Sequence, residues 1–346
     1  MWDCLRSWRH LIACAALCAS TDVLAAGVDT PIYTVAKSTV LGSPDRWDLL
    51  TFDGTSQRVY VSHGDRLTVV DGRSGEVLGQ VTGFPGGTHG IAVSTANGKG
   101  YTDDGQAGTV GAFDLKTLQV LRSITGRPDA DGIALDSKSG HVFVSNGESN
   151  DVSVIDPKTD RNLGNIDAGG ELEFLVADGK GKLYVNGEQK EEIVRIDTLG
   201  NKVDAHWPMT DCRSPHGLAM DIRTRRLFVS CTNSMLVVVS ADDGHEVAHL
   251  PIGLGSDGVA FDPVRMRIFS SNGRDGTITM LREIDADHFA PLGDIRTGAT
   301  ARTMTVDPVT GRLYVALGEV DSAAAQGGRP KVKSGSLTLL FLDPVP

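Results

Sequence analysis

The chain has little of what most function classes carry. Aromatic residues make up only 5% of its 346 positions, and there are five cysteines. After the N-terminus no segment keeps a 3.6-residue apolar period, so a helical architecture is excluded. Basic residues are the minority, with 33 Lys and Arg against 44 Asp and Glu and a formal net charge of -11. That balance opposes a polyanionic nucleic acid or an anionic membrane surface, and neither is expected as a partner. No membrane span is expected either, because the apolar run near the N-terminus is short for one. The sequence has no Gly-x-Ser-x-Gly elbow, His-Glu-x-x-His, phosphate loop or Cys-x-x-Cys-His attachment. Nucleophilic hydrolysis and covalent haem are therefore unsupported, and no nucleotide or flavin signature is present.

What is present is glycine, 41 residues against 14 proline, in clusters with Asp, Asn and Ser between short apolar runs. Many tight turns joining short strands need that composition. Residues 1–26 read as a secretory signal, with Arg6 and Arg9 before an apolar run from Leu11 to Leu17 and a small-residue cleavage site at Leu24-Ala25-Ala26 or Val23-Leu24-Ala25. Leu11-Ile12-Ala13-Cys14 also matches a lipoprotein box, although little apolar sequence precedes that cysteine. Export would place residues 27–346 in the periplasm or outside the cell. It would also remove Cys4, Cys14 and Cys18, leaving Cys212 and Cys231 as a pair suited to an oxidising compartment. Two arrangements of that pair are open, a disulfide closing one strand pair or a Cys-His-Cys metal site with His216.

A unit best seen at Asp131-Gly132-Ile133-Ala134-Leu135-Asp136 recurs along the chain. Its first positions are 48, 89, 131, 173, 216, 257 and 302, with spacings of 41, 42, 42, 43, 41 and 45. A second run follows each in register, such as Val59-Tyr60-Val61-Ser62, Phe143-Val144-Ser145-Asn146 and Leu227-Phe228-Val229-Ser230. A third follows that, as in Asp151-Val152-Ser153-Val154-Ile155-Asp156. A period near 42 with four short strands per unit is the mark of a β-propeller. The seventh unit ends after its third strand, while Ile32 to Leu41 has the character of a fourth. The expected fold is thus all-β, a single seven-bladed propeller domain over 27–346 whose last blade is closed by the N-terminal strand. A monomer is expected.

Pro128-Asp129-Ala130-Asp131-Gly132-Ile133-Ala134, Phe143-Val144-Ser145-Asn146 and Asp151 to Asp156 resemble the YVTN-type repeat of secreted bacterial propellers, the YncE-like group. The resemblance covers nearly the whole chain after the leader. It implies the seven-bladed fold and an exported address, and little about chemistry.

The first residue of each unit should lie at one mouth of the central channel. Those residues are Asp48, His89, Asp131, Glu173, His216, Asp257 and Arg302, five formally charged and two histidines. An Asp before Gly at a strand start can simply accept neighbouring backbone N–H groups. A whole ring of such groups is harder to explain that way, because clustered carboxylates repel and need a cation, a proton or Arg302. His89, Asp131, Glu173, His216 and Asp257 are candidate ligands for a divalent metal of undetermined identity. Asp48, His63, Glu173 and Arg302 are candidate contacts for a small ligand or a periplasmic protein at the mouth. His63 is included because its turn falls beside Trp47 and Asp48. Asp131-Gly132, Asp257-Gly258 and Pro215-His216-Gly217 also resemble, by position, the metal-binding segments of gluconolactonase and senescence-marker propellers. That resemblance implies a lactonase-like hydrolase or lyase as the alternative to a binding module, with His89 or His216 as base and Arg302 orienting an anionic substrate. In the last blade the loop is enlarged over 318–334, as either a disordered excursion or a lid, and its basic tip facing an acidic mouth supports the lid.

Overall fold

In a computed structural model, residues 32–321 and 331–345 are described. The expected leader, 1–26, lies outside them. The described residues form seven four-stranded antiparallel sheets. The innermost strands of successive sheets touch, and that of the last touches that of the first, so the ring closes. The closing sheet pairs Tyr33–Val40 with Thr338–Pro344 in antiparallel register, Tyr33 opposite Pro344 and Val40 opposite Thr338. The N-terminal clasp is therefore present, and it covers what would otherwise be a row of unpaired backbone groups.

Each blade is built by the same sequence logic. The second strand carries one aromatic per blade: Tyr60, Tyr101, Phe143, Tyr184, Phe228, Phe269 and Tyr314, every one of them buried. Burying such a side chain contributes roughly 1.5–3 kcal/mol, before the entropy of ordering it. Three of the tyrosines also reach the next blade. Tyr101 donates to Asp160 Oδ1 at 2.8 Å, Tyr184 to the Ala241 carbonyl at 2.8 Å and Tyr314 to the Gly72 carbonyl at 3.0 Å. The outermost strands alternate instead, as Lys202–Pro208 does with every second residue exposed, because only one face has a neighbour.

An Asp at the end of the first strand is a turn former in six of the seven units, the second having Ser94 there. Asp53, Asp136, Asp178, Asp221, Asp262 and Asp307 are buried, and each accepts a backbone N–H two or three residues on. Examples are Asp178 Oδ1 from Lys180 at 2.7 Å and Asp307 Oδ1 from Val309 at 2.9 Å. These turns occupy one face of the ring, leaving the opposite face to the strand starts.

Candidate functional site

In blades 3 to 6 the ring residue sits at an irregularity of the strand pairing. The register shifts between Ala130 and Ile133, Leu172 and Leu175, Pro215 and Leu218, and Ser256 and Gly258. A bulge re-aims a side chain, here out of the sheet toward the mouth. The glycine that usually follows lets blades approach closely. A Cβ on Gly90 would lie 2.4 Å from the Asp131 carbonyl oxygen, and one on Gly217 would lie 2.7 Å from the Val259 nitrogen. Backbone N–H groups at these strand starts are satisfied from the second strand, with Ser145 Oγ accepting from Gly132 at 2.9 Å and Ser230 Oγ from Gly217 at 3.1 Å. Among the described residues no backbone N–H donates to Asp48, Asp131, Glu173 or Asp257. The strand-capping account of those carboxylates therefore fails.

The ring instead forms a circle of neighbouring charges. Arg302 bridges the seam, pairing with Asp257 on one side and reaching Asp48 Oδ2 at 3.5 Å on the other, while it donates to the Trp47 carbonyl at 2.6 Å. His216 Nδ1 lies 3.3 Å from Asp257 and 3.8 Å from Glu173. Burial alone would raise the Asp257 pKa, but His216 and Arg302 outweigh it and hold the carboxyl at about 2. The His216 imidazole is burdened by burial and is nonetheless raised by Asp257 and Glu188.

The opposite arc lacks that compensation. Burial and the Asp48 carboxylate push Asp131 up to about 7, and burial with the adjacent Asp131 raises Glu173 well above the usual range. The channel cavity is also lined by Ile91, Ile133, Phe174, Leu218, Val259 and Met304, whose side chains offer no polar partner to a buried charge. Glu188, from the turn after the second strand of blade 4, completes the cluster with its Oε1 3.4 Å from His216 Nε2. One ligand atom each from Glu173, Glu188 and His216 lies within 4.8 Å of the others.

His89 is held by its own blade. Its Nδ1 lies 2.6 Å from Asp103 Oδ2, and Asp103 Oδ1 accepts the His89 and Gly90 backbone N–H groups, each at 2.8 Å. Burial favours the neutral carboxyl of Asp103, but those two backbone donors favour the carboxylate. Burial opposes charge on His89 as well, yet Asp103, Asp48 and Asp131 push its pKa up to about 9. Arg46, an exposed side chain, places its NH2 3.2 Å from His89 Nε2. That contact is a hydrogen bond only when Nε2 is unprotonated.

His63 does not reach the mouth. Its ring is fully buried, with Nδ1 2.8 Å from Thr68 Oγ1 and Nε2 2.7 Å from the Pro44 carbonyl and 3.2 Å from that of Gly42. Burial lowers its pKa. It ties the segment before blade 1 in place, and the expectation of a ligand contact is corrected on that ground. Cys212 and Cys231 form a disulfide with Cα atoms 5.2 Å apart, so both sulfurs are unavailable to His216. The enlarged loop begins as a hairpin stem, with Val320 bridged to Val332 and Lys333 paired with Glu319 at 3.0 Å. Residues 322–330 lie outside the described residues. Lys333 thus pairs within its own stem and not with the acidic ring.

Three residues outside the repeated first position take part as well: Asp103, Glu188 and Arg274, the last of which lines a cavity beside the ring. For Asp103 a signal existed, since it stands in a column otherwise occupied by Ser62, Ser145, Asn186, Ser230, Ser271 and Ala316.

No protein-family model matches this chain, and no curated protein does. Solved structures are similar to it in fold. Hydrazine synthase from Kuenenia stuttgartiensis matches with 14% identity and a TM-score of 0.70 over 80% of this chain and 94% of that one. The WD40 repeats of RRP9 match with 10% identity and a TM-score of 0.75, over 90% and 97% of the two chains. U3-55K matches with 11% identity and a TM-score of 0.75, over 91% and 100%. At such identities the shared feature is the β-propeller fold. Among the described residues no helix is long and apolar enough to cross a membrane.

Proposed function

We propose that this chain is an exported propeller whose central mouth binds a divalent metal ion through Glu173, Glu188 and His216, and presents it to a small ligand or a protein partner. The observation that carries the reading is the convergence of those three donors within 4.8 Å. Asp131 supports it as the neighbour that would orient Glu173. The raised pKa values on this arc mark carboxyl groups short of a counter-charge, which a cation supplies. One nitrogen with carboxylate oxygens suits first-row divalent ions such as zinc or manganese. Export rests on the leader-like N-terminus and on the disulfide.

Elemental analysis of freshly purified protein tests this. About one equivalent of metal is expected in the wild type and a large loss in Glu188→Gln and His216→Ala. A wild type that neither retains nor takes up zinc or manganese sinks the reading. Hydrolase or lyase chemistry is the second reading, and Asp131, poised at about 7 beside the cluster, favours it as a general acid or base. Turnover of a lactone panel that is lost on chelation and in Asp131→Asn is its test.

A further inference from the structure

Beside the ring, where blades 6 and 7 meet the segment before blade 1, lies a cavity of about 270 Å³. It is just under the range of drug-sized sites, about 300–1,000 Å³, and suits a small molecule. Three arginines, Arg46, Arg274 and Arg302, are among the residues that line it, in a protein of formal net charge -11.

The acids that line the same cavity are already engaged. Asp257 is paired with Arg302 and His216. Asp45 accepts backbone N–H groups from Gly335 at 2.9 Å and Ser336 at 3.1 Å. Arg302 is consumed by Asp257, Asp48 and the Trp47 carbonyl. Arg274 is left over, and Arg46, whose Nη2 lies 3.2 Å from His89 Nε2, forms no ion pair either among the described residues.

The site is also shaped. Gly255 leaves room for the Arg274 stem, because a Cβ there would lie 2.6 Å from Arg274 Cγ. Gly273 does the same for Arg302, whose Cβ would lie 2.9 Å away. Trp47, only 5% exposed, lines the wall, and its buried indole Nε1–H has no acceptor among the described residues.

We propose that this cavity is a subsite for the oxyanion of a small organic acid, a carboxylate or a phosphate ester. Arg46 and Arg274 hold the anion by charge-assisted hydrogen bonds, and the indole of Trp47 covers the apolar part of the same molecule. Arg46, Arg274 and Trp47 are not ligands in the proposed metal cluster, although His216 of that cluster lines the same cavity, so the subsite is tested with and without metal.

Calorimetric titration of the purified protein with phenylacetate, phenyl phosphate and neutral 2-phenylethanol tests the inference, with and without prior chelation. At least one anion is expected to bind, the alcohol not at comparable concentration, and the preferred anion distinguishes carboxylate from phosphate ester. Arg274→Gln and Arg46→Gln should each weaken binding by about ten- to a hundredfold, the worth of a charged hydrogen bond. Both side chains are exposed, so the variants should keep the wild-type circular dichroism. Trp47→Leu shrinks the apolar wall and should cost severalfold.

The proposal is overturned if neither anion binds at millimolar concentration, or if the alcohol binds as well as the anions. It is equally overturned if both arginine variants bind like the wild type, or if chelation abolishes binding, which would assign the anion to the metal. Anion binding in a protein that holds no metal would leave this subsite standing and remove the metal reading alone.

Discussion

Asp103 decides what His89 can be. In the same column, a serine hydroxyl caps the Gly132 nitrogen in blade 3 and the Gly217 nitrogen in blade 5, whereas in blade 2 a carboxylate caps two nitrogens and grips an imidazole 2.6 Å away. An opposite charge at that range moves a pKa by about 1–3. Asp103→Asn keeps much of the shape and removes the charge, so the His89 pKa should fall by that amount from about 9 toward the ordinary imidazole value. Titration of the His89 ring signals by NMR reads this directly, and an unmoved value would mean that Asp48 and Asp131 hold the charge instead. At this scale the sequence showed the ring because seven copies of one position can be compared down a column. It could not show Glu188, since acidic residues at turns are ordinary and only folding reveals which turn bends inward. His63 misleads for the converse reason: adjacency to a mouth turn does not tell whether the ring faces solvent or, as here, the Gly42 and Pro44 carbonyls.

Among the elements, the strand starts matter most, because a bulge there turns a structural repeat into a mouth. Strands, their order and the Tyr33–Val40 clasp were legible from period and patterning, because core-facing residues must recur wherever the fold recurs. The bulges were not legible, since a shift of pairing leaves the composition of a strand unchanged. Nor was the hairpin stem of the enlarged loop, which rests on one bridge between Val320 and Val332. The disulfide links the segment leading into blade 5 to the end of that blade's second strand, Arg226–Cys231, behind His216. With 19 residues of separation it constrains the unfolded chain by about 3 kcal/mol in the loop-entropy account. Cys212→Ser with Cys231→Ser should therefore lower Tm by several degrees, to the value reached by reduced wild type. Equal Tm in the presence and absence of reductant would show that the bond adds nothing to the native state.

For the whole molecule, the ring makes stability a function of pH and, on the proposed metal reading, of bound cation as well. Asp131 is raised to about 7, against about 3.9 in an unfolded chain. Between those values the folded protein binds more protons than the unfolded one, so stability falls as pH rises through that window. His89, raised to about 9, contributes stability that is complete below about 6.5 and lost as pH climbs toward 9. Asp257, held at about 2, contributes a constant amount above about 4 and is lost only in strong acid. Metal-free protein should thus be more stable at pH 5 than at pH 8.5 in urea denaturation. A divalent ion at the proposed site of Glu173, Glu188 and His216 would change the balance, because binding to ionised carboxylates releases protons and tightens as pH rises through 7. Zinc or manganese should then stabilise the protein strongly at pH 8.5 and little at pH 5, and Asp131→Asn should flatten the metal-free slope. A metal-free stability that rises with pH over this range would show that the arc of Asp131 and Glu173 is already compensated within the fold. The ring would then be a self-neutralising seam between blades, with no counter-charge left for a metal to supply.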